Sequence, residues 1–161
     1  MNVPLREQRF VEETGGFSLI IPRSWEIVDM PISDFKMIRV PNENGVAPSI
    51  GFYIDTFNGP LDLRVDHLIR NWSIHAETFM VIQRSDFVTL SNLRGKRIIA
   101  ISTVQGLQGR QVIYILPGEN NTSLLVICTS HAEDGDFFDE HAHISTPRKN
   151  SRIFFQLCHL L

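Results

Sequence analysis

Apolar and polar residues alternate along most of this chain with the period-two rhythm of half-buried strands. Residues 9–13 read as a short edge strand. Residues 17–21 form a strand that Pro22 closes, since proline has no amide to give to a ladder. Further strands are expected at 34–42 and at 47–57, the latter rich in aromatic and β-branched residues. Residues 79–84 and 87–90 read as one strand interrupted near Arg84-Ser85-Asp86, followed by strands at 96–103, 111–116 and 124–129. The joins are turn chemistry, SNLRG (91–95), QGLQG (105–109) and PGENN (117–121), and their short, regular spacing predicts an antiparallel meander.

The period changes after Asn58-Gly59-Pro60. Leu61, Val65, Leu68, Ile69 and Trp72 fall on one helical stripe, and Pro60 suits a helix start. Asp62 stands in the first turn, where the helix dipole favours a carboxylate. A helix is therefore expected over residues 61–75. A second is expected from near Asp136 through FFDEHAHI, ended by Thr146-Pro147. Strands, helix, meander and helix make an α+β domain over residues 1–151, with a central antiparallel sheet and an apolar tail at 152–161.

Composition narrows the function. The chain has 161 residues, 43% hydrophobic and 20% charged, enough for one well-packed domain. Its net charge of -3 carries no basic surplus, so a nucleic-acid partner is not expected. The densest basic cluster, Arg148, Lys149 and Arg152, is too small to mark an anionic membrane surface. No apolar run reaches the length of a membrane span. The N-terminus lacks the features of a signal peptide, so the chain as given reads as cytoplasmic, and as periplasmic or lumenal if a leader has been removed.

Candidate chemistry is sparse. No nucleophile elbow, zincin, phosphate-loop or dinucleotide motif occurs, and Cys128 and Cys158 lack metal or redox spacing. Cys128, inside SLLVICTS, reads as a packed thiol. The segment HAEDGDFFDEHAH holds the candidate metal ligands Asp134, Asp136 and Asp139, whose oxygens suit a hard divalent cation such as Ca²⁺. The alternative is a hydrated acidic loop with no cofactor, because the full Ca²⁺-loop pattern is absent. His67, Asn71 and His75 read as a solvated helix face, and Trp25 and Trp72 as core. In the tail, Phe154, Phe155 and Leu157 are candidate partner-binding residues; the alternative is a tail packed on its own sheet or, in a homodimer, on a neighbouring copy.

The stretch GFSLIIPRSW, with Gly16, Phe17, Ser18, Leu19, Ile21, Pro22 and Trp25, resembles the opening of PsbP-like domains. PSIGFYID, LRGKRIIAIS and the run from SLLVICTS to Ser145 resemble later elements of that family in the same order. The resemblance implies an α/β/α sandwich, a sheet of about six antiparallel strands with helices packed on both faces. The family includes thylakoid-lumen subunits, a Ran-binding protein, DcrB-type envelope lipoproteins and secretion-effector chaperones, which bind without catalysing. It therefore implies a non-catalytic protein-binding or assembly module, not an enzyme, acting on a protein partner. The alternatives are an exported envelope or lumenal lipoprotein-type accessory protein whose leader is missing, a secretion-effector chaperone, or an enzyme with an unrecognised pocket site. Neither a lumenal targeting segment nor a lipobox cysteine is present, and the tail extends past the family's usual end.

Overall fold

The computed structural model describes residues 7–12, 17–29, 36–41, 48–88, 92–118, 120–134, 142–143 and 153–157. Three long strands, β7 (Arg94–Val104), β8 (Leu107–Pro117) and β9 (Thr122–His131), form its centre. Val112 to Leu116 of β8 are buried without a break, which requires cover on both faces of the sheet. The sheet extends through β5 (Ser49–Thr56), β4 (Lys36–Arg39) and β3 (Glu26–Asp29) on one side and β6 (Thr78–Val88) on the other. The order is β3-β4-β5-β9-β8-β7-β6, antiparallel throughout.

One face is covered by α1 (Leu61–His75), the expected helix. Val65 and Leu68 bury against Ile98, Ala100, Ile113, Ile115 and Leu125, and Trp72 meets Phe79 edge-on at 5.6 Å. Each fully buried aliphatic there contributes roughly 1.5–3 kcal/mol. The helix ends where Ala76 turns extended, its amide still donating to the Trp72 carbonyl at 3.0 Å.

The opposite face departs from expectation. Its cover is a second, four-stranded sheet of order β1-β2-β11-β10, built from β1 (Glu7–Glu12), β2 (Phe17–Pro22), β10 (Ala142–His143) and β11 (Ile153–Leu157). Phe10 stacks on Phe52 at 5.8 Å, and Ile21 and Trp25 complete a core with Ile38, Ile50, Val112, Tyr114 and Val126. Gln8 Nε2 donates to the Trp25 carbonyl at 3.1 Å and ties the turn after β2 to β1. Among the described residues, then, helix lies on one face and sheet on the other.

Three local expectations are corrected. The main sheet has seven strands, because Glu26–Asp29 adds β3 at its edge. Ala142 and His143, expected in a second helix, are strand paired with Leu157 and Gln156, and the other residues of that expected helix lie outside the described residues. Residues 79–90 are not broken near Arg84. The strand is continuous from Thr78 to Val88, with a bulge at Ile82 between the Val81 and Gln83 pairings. The extra residue reverses the alternation, so Phe79 and Val81 pack with the helix-side core and Phe87 with the opposite one.

Gly95 on β7 has no room for a side chain. A Cβ there would meet the Ile115 carbonyl oxygen at 2.6 Å and the Phe87 ring at 2.7 Å. Since one of those neighbours is backbone, Gly95→Ala is expected to lower stability by about 1–3 kcal/mol in urea unfolding. Gly106 is different, with φ +75° and nothing near its Cβ position. It is needed for the backbone of the turn alone.

Candidate functional site

Two groups of interacting charged side chains lie along the flanks of α1. On the flank facing β5, Arg64 is 3% exposed although it carries a permanent charge. The turn at Pro60 starts the helix so that Arg64 points back to the sheet, where it forms an ion pair with Asp55 of β5. Its Nη1 donates to Nδ1 of His67 at 3.1 Å, and its guanidinium lies 5.4 Å from the Phe57 ring centre. Burial pulls its pKa down from the ordinary arginine value. Nε of Arg64 and the hydroxyl of Ser123, the strand neighbour of Asp55, are buried and make no hydrogen bond. His67 is exposed, as a solvated face requires, yet its ring is engaged by Arg64 and lies 6.0 Å from Phe57.

The other flank is a ladder of alternating charges between α1 and strands β6 and β7. Arg84 binds Asp66 at 2.6 Å and Asp62 at 3.3 Å, and Lys96 binds Asp62 at 3.2 Å and also Asp86. The hydrogen bond from Lys96, then that from Arg84, holds the Asp62 carboxyl below its ordinary 3.8. Lys96 is pushed above its ordinary 10.5, first by Asp86 and then by Asp62. Stability from Asp62 is present above pH 3.8 and lost as pH falls through its lowered value; that from Lys96 is present below pH 10.5 and lost as pH rises through its raised one. Asp62→Asn is accordingly expected to melt below the parent protein at neutral pH, the gap closing below pH 3.8 and shrinking with added salt. Thermal melts across pH would check this, and a gap unchanged in acid would refute it.

These groups clamp the helix to the sheet and use one another as partners. Sequence reading singled out Asp62 for the dipole, not for this ladder. The Asp62–Asp66 spacing of four was the one signal available. The candidate metal ligands are not brought into the same picture. Asp134 ends a 3-10 turn at Ala132–Asp134, and Asp136 and Asp139 lie outside the described residues. Among the described residues no group of three His, Cys, Asp or Glu side chains is placed to hold a metal ion. Phe154, Phe155 and Leu157 lie on β11, which runs between β2 and β10, so the tail's backbone is part of the small sheet. Cys128 is buried, and burial pushes its thiol up to about 12.

The surface feature that sequence reading missed is apolar. The β7–β8 hairpin turns through Gln105 and Gly106 alone, both at positive φ, so Val104 and Leu107 face each other across the tip. They are 51% and 52% exposed. On β6, the strand next to β7, Met80 is 59% and Ile82 48% exposed, and Met80, paired with Ile101, lies on the face opposite Val104 and Leu107. Two hydrogen bonds fix this end: Thr78 Oγ1 donates to Thr103 Oγ1 at 2.8 Å, and the Gly106 amide donates to Glu77 Oε1 at 3.3 Å. From Thr78 to Gln83 and from Ile101 to Gly109 the sequence contains no charged residue.

No described helix is long and apolar enough to cross a membrane. No protein-family model matches the chain, and no curated protein does. Solved structures match its fold. The solution structure of cyanobacterial PsbP (CyanoP) from Synechocystis sp. PCC 6803 superposes with a TM-score of 0.63 at 9% identity, over 84% of this chain and 86% of that one. A protein of unknown function from Pseudomonas aeruginosa, PA94, for which a regulatory role has been suggested, superposes with a TM-score of 0.55 at 14% identity, over 80% and 85% of the two chains. The fold is PsbP-like.

Proposed function

We propose that this chain, built on the PsbP-like fold, is a non-catalytic binding or assembly module that engages a protein partner through the tip of the β7–β8 hairpin. One observation carries the reading: two aliphatic side chains, about half exposed, are presented by a tight turn on a stretch without charge. Interface cores are depleted in charge, and a rigid tip loses little entropy when it docks. A regulatory role of the kind suggested for PA94 would likewise operate through binding. In this reading Phe154, Phe155 and Leu157 serve the small sheet and not the partner.

The test is affinity capture from cells that express the protein, comparing the parent chain with Val104→Asp/Leu107→Asp. Both positions are exposed, so the variant is expected to fold. It should capture a specific partner at least about tenfold less well, the equivalent of ~1.4 kcal/mol. Undiminished capture would remove the tip from the interface. Truncation after Ser151 is a poorer test, because it deletes β11 from between β2 and β10 and damages the fold itself.

A further inference from the structure

Strand β6 ends the seven-stranded sheet, and among the described residues no strand covers its outer edge. Exposed edges are normally blunted by brevity, charge or proline. The opposite edge obeys this rule: β3 has four residues, begins with Glu26 paired to Arg39, and ends with Asp29. The second half of β6 obeys it through the Ile82 bulge, Arg84 and Asp86. Residues 78–83, TFMVIQ, do not. They hold no charge, no proline and no glycine, and Met80 and Ile82 are about half exposed.

We infer that this half-edge pairs with the same half-edge of a second copy of the chain, antiparallel about Met80, to join two sheets into one. The register follows from chemistry. Pairing about Met80 sets Phe79 opposite Val81 on the helix side of the sheet, an aromatic against a β-branched residue, and Met80 opposite Met80 on the other side. Sliding the twofold to Phe79 would set Val81 against Glu77, and sliding it to Val81 would set Thr78 against Arg84. A twofold axis also brings every group near its own copy, so a paired segment free of charge avoids like-charge contact. The flanking charges are opposite in sign. Glu77 lies just before the segment and Arg84 just after it; pairing about Met80 sets Glu77 opposite Gln83, one residue from the Arg84 that Asp62 and Asp66 already hold. The bulge at Ile82 then terminates the pairing. The inference rests on the β6 edge and not on the hairpin tip, which stays available to another protein.

The full chain should sediment as a monomer–dimer equilibrium over a range of concentrations. Met80→Lys, at an exposed position, should raise the dimer dissociation constant at least about tenfold, because two lysines would then meet across the axis. Met80→Cys should form a disulfide-linked dimer under mild oxidation, since directly opposed strand residues lie within reach of a disulfide. Val88→Cys, exposed on the same strand beyond the bulge, should not. A chain that is monomeric at every concentration overturns the inference. So does a dimer that Met80→Lys leaves intact or that cross-links equally through both cysteines. A parent chain that never dimerises yet captures its partner through the hairpin tip would sink this inference alone, and undiminished capture by the hairpin variant with the dimer intact would sink the proposed function alone.

Discussion

Phe52→Ala is expected to cost about 3–5 kcal/mol, the range for deleting a buried aromatic side chain. Phe52 is 2% exposed at the middle of β5, a strand flanked by β4 and β9, and its ring stacks on Phe10 of the small sheet. The loss therefore has two parts: the transfer of the ring to water, and a cavity at the junction of the two sheets that the paired strands around it cannot close. A domain of this kind has roughly 5–15 kcal/mol to lose, so the variant should unfold at much lower urea with an unchanged slope. A cost below about 1 kcal/mol, far under the ordinary range for such a deletion, would mean that β1 and β2 do not pack on the large sheet as described.

The second large effect concerns Arg64 and distinguishes the charge from the space it fills. Asp55→Ala should destabilise by about 2 kcal/mol, because it leaves a buried guanidinium with no counter-charge. The figure lies below the usual range for a broken buried pair, since the Asp55 side chain is 41% exposed and partly screened by water. Arg64→Leu should stay within about 1 kcal/mol of the parent, because it removes the buried charge and the unbonded Nε together and leaves Asp55 near solvent. Urea unfolding of both variants decides the matter. If Arg64→Leu proved the more damaging, the guanidinium's contacts with His67 and Phe57 would outweigh its desolvation.

The pattern of residues reached the elements more easily than the site. The stripe from Leu61 to Trp72, bounded by Pro60, specified α1 to the residue, because helix period and capping chemistry are both local. The central strands were legible for the same reason. β3 was not, since Glu-Ile-Val-Asp is four residues at a sheet edge with Ile27 exposed, too short to show an alternation. A break was expected near Arg84-Ser85-Asp86, because the residue inserted at Ile82 reverses the rhythm without ending the strand. The ion pairs were invisible in sequence. Arg84 meets Asp62 and Asp66 across 22 and 18 residues, a distance closed by tertiary packing of helix on sheet. Arg64 carries no signal of its own in the sequence, and its burial rests on Asp55, which arrives from another strand. The hairpin tip was hidden by the turn itself: a five-residue turn was expected at 105–109, whereas two residues suffice and β8 begins at Leu107. Leu107, expected inside the turn, thus becomes half of an exposed cross-strand pair.

The most direct test of the binding account is site-specific photocross-linking in living cells, with a photoreactive residue placed at Leu107 or, as a control, at Leu63 on the exposed face of α1. The account predicts one discrete heavier adduct from position 107 and none from position 63. Adducts from Leu63 with none from Leu107 would contradict it and move the partner surface from the hairpin tip to the helix.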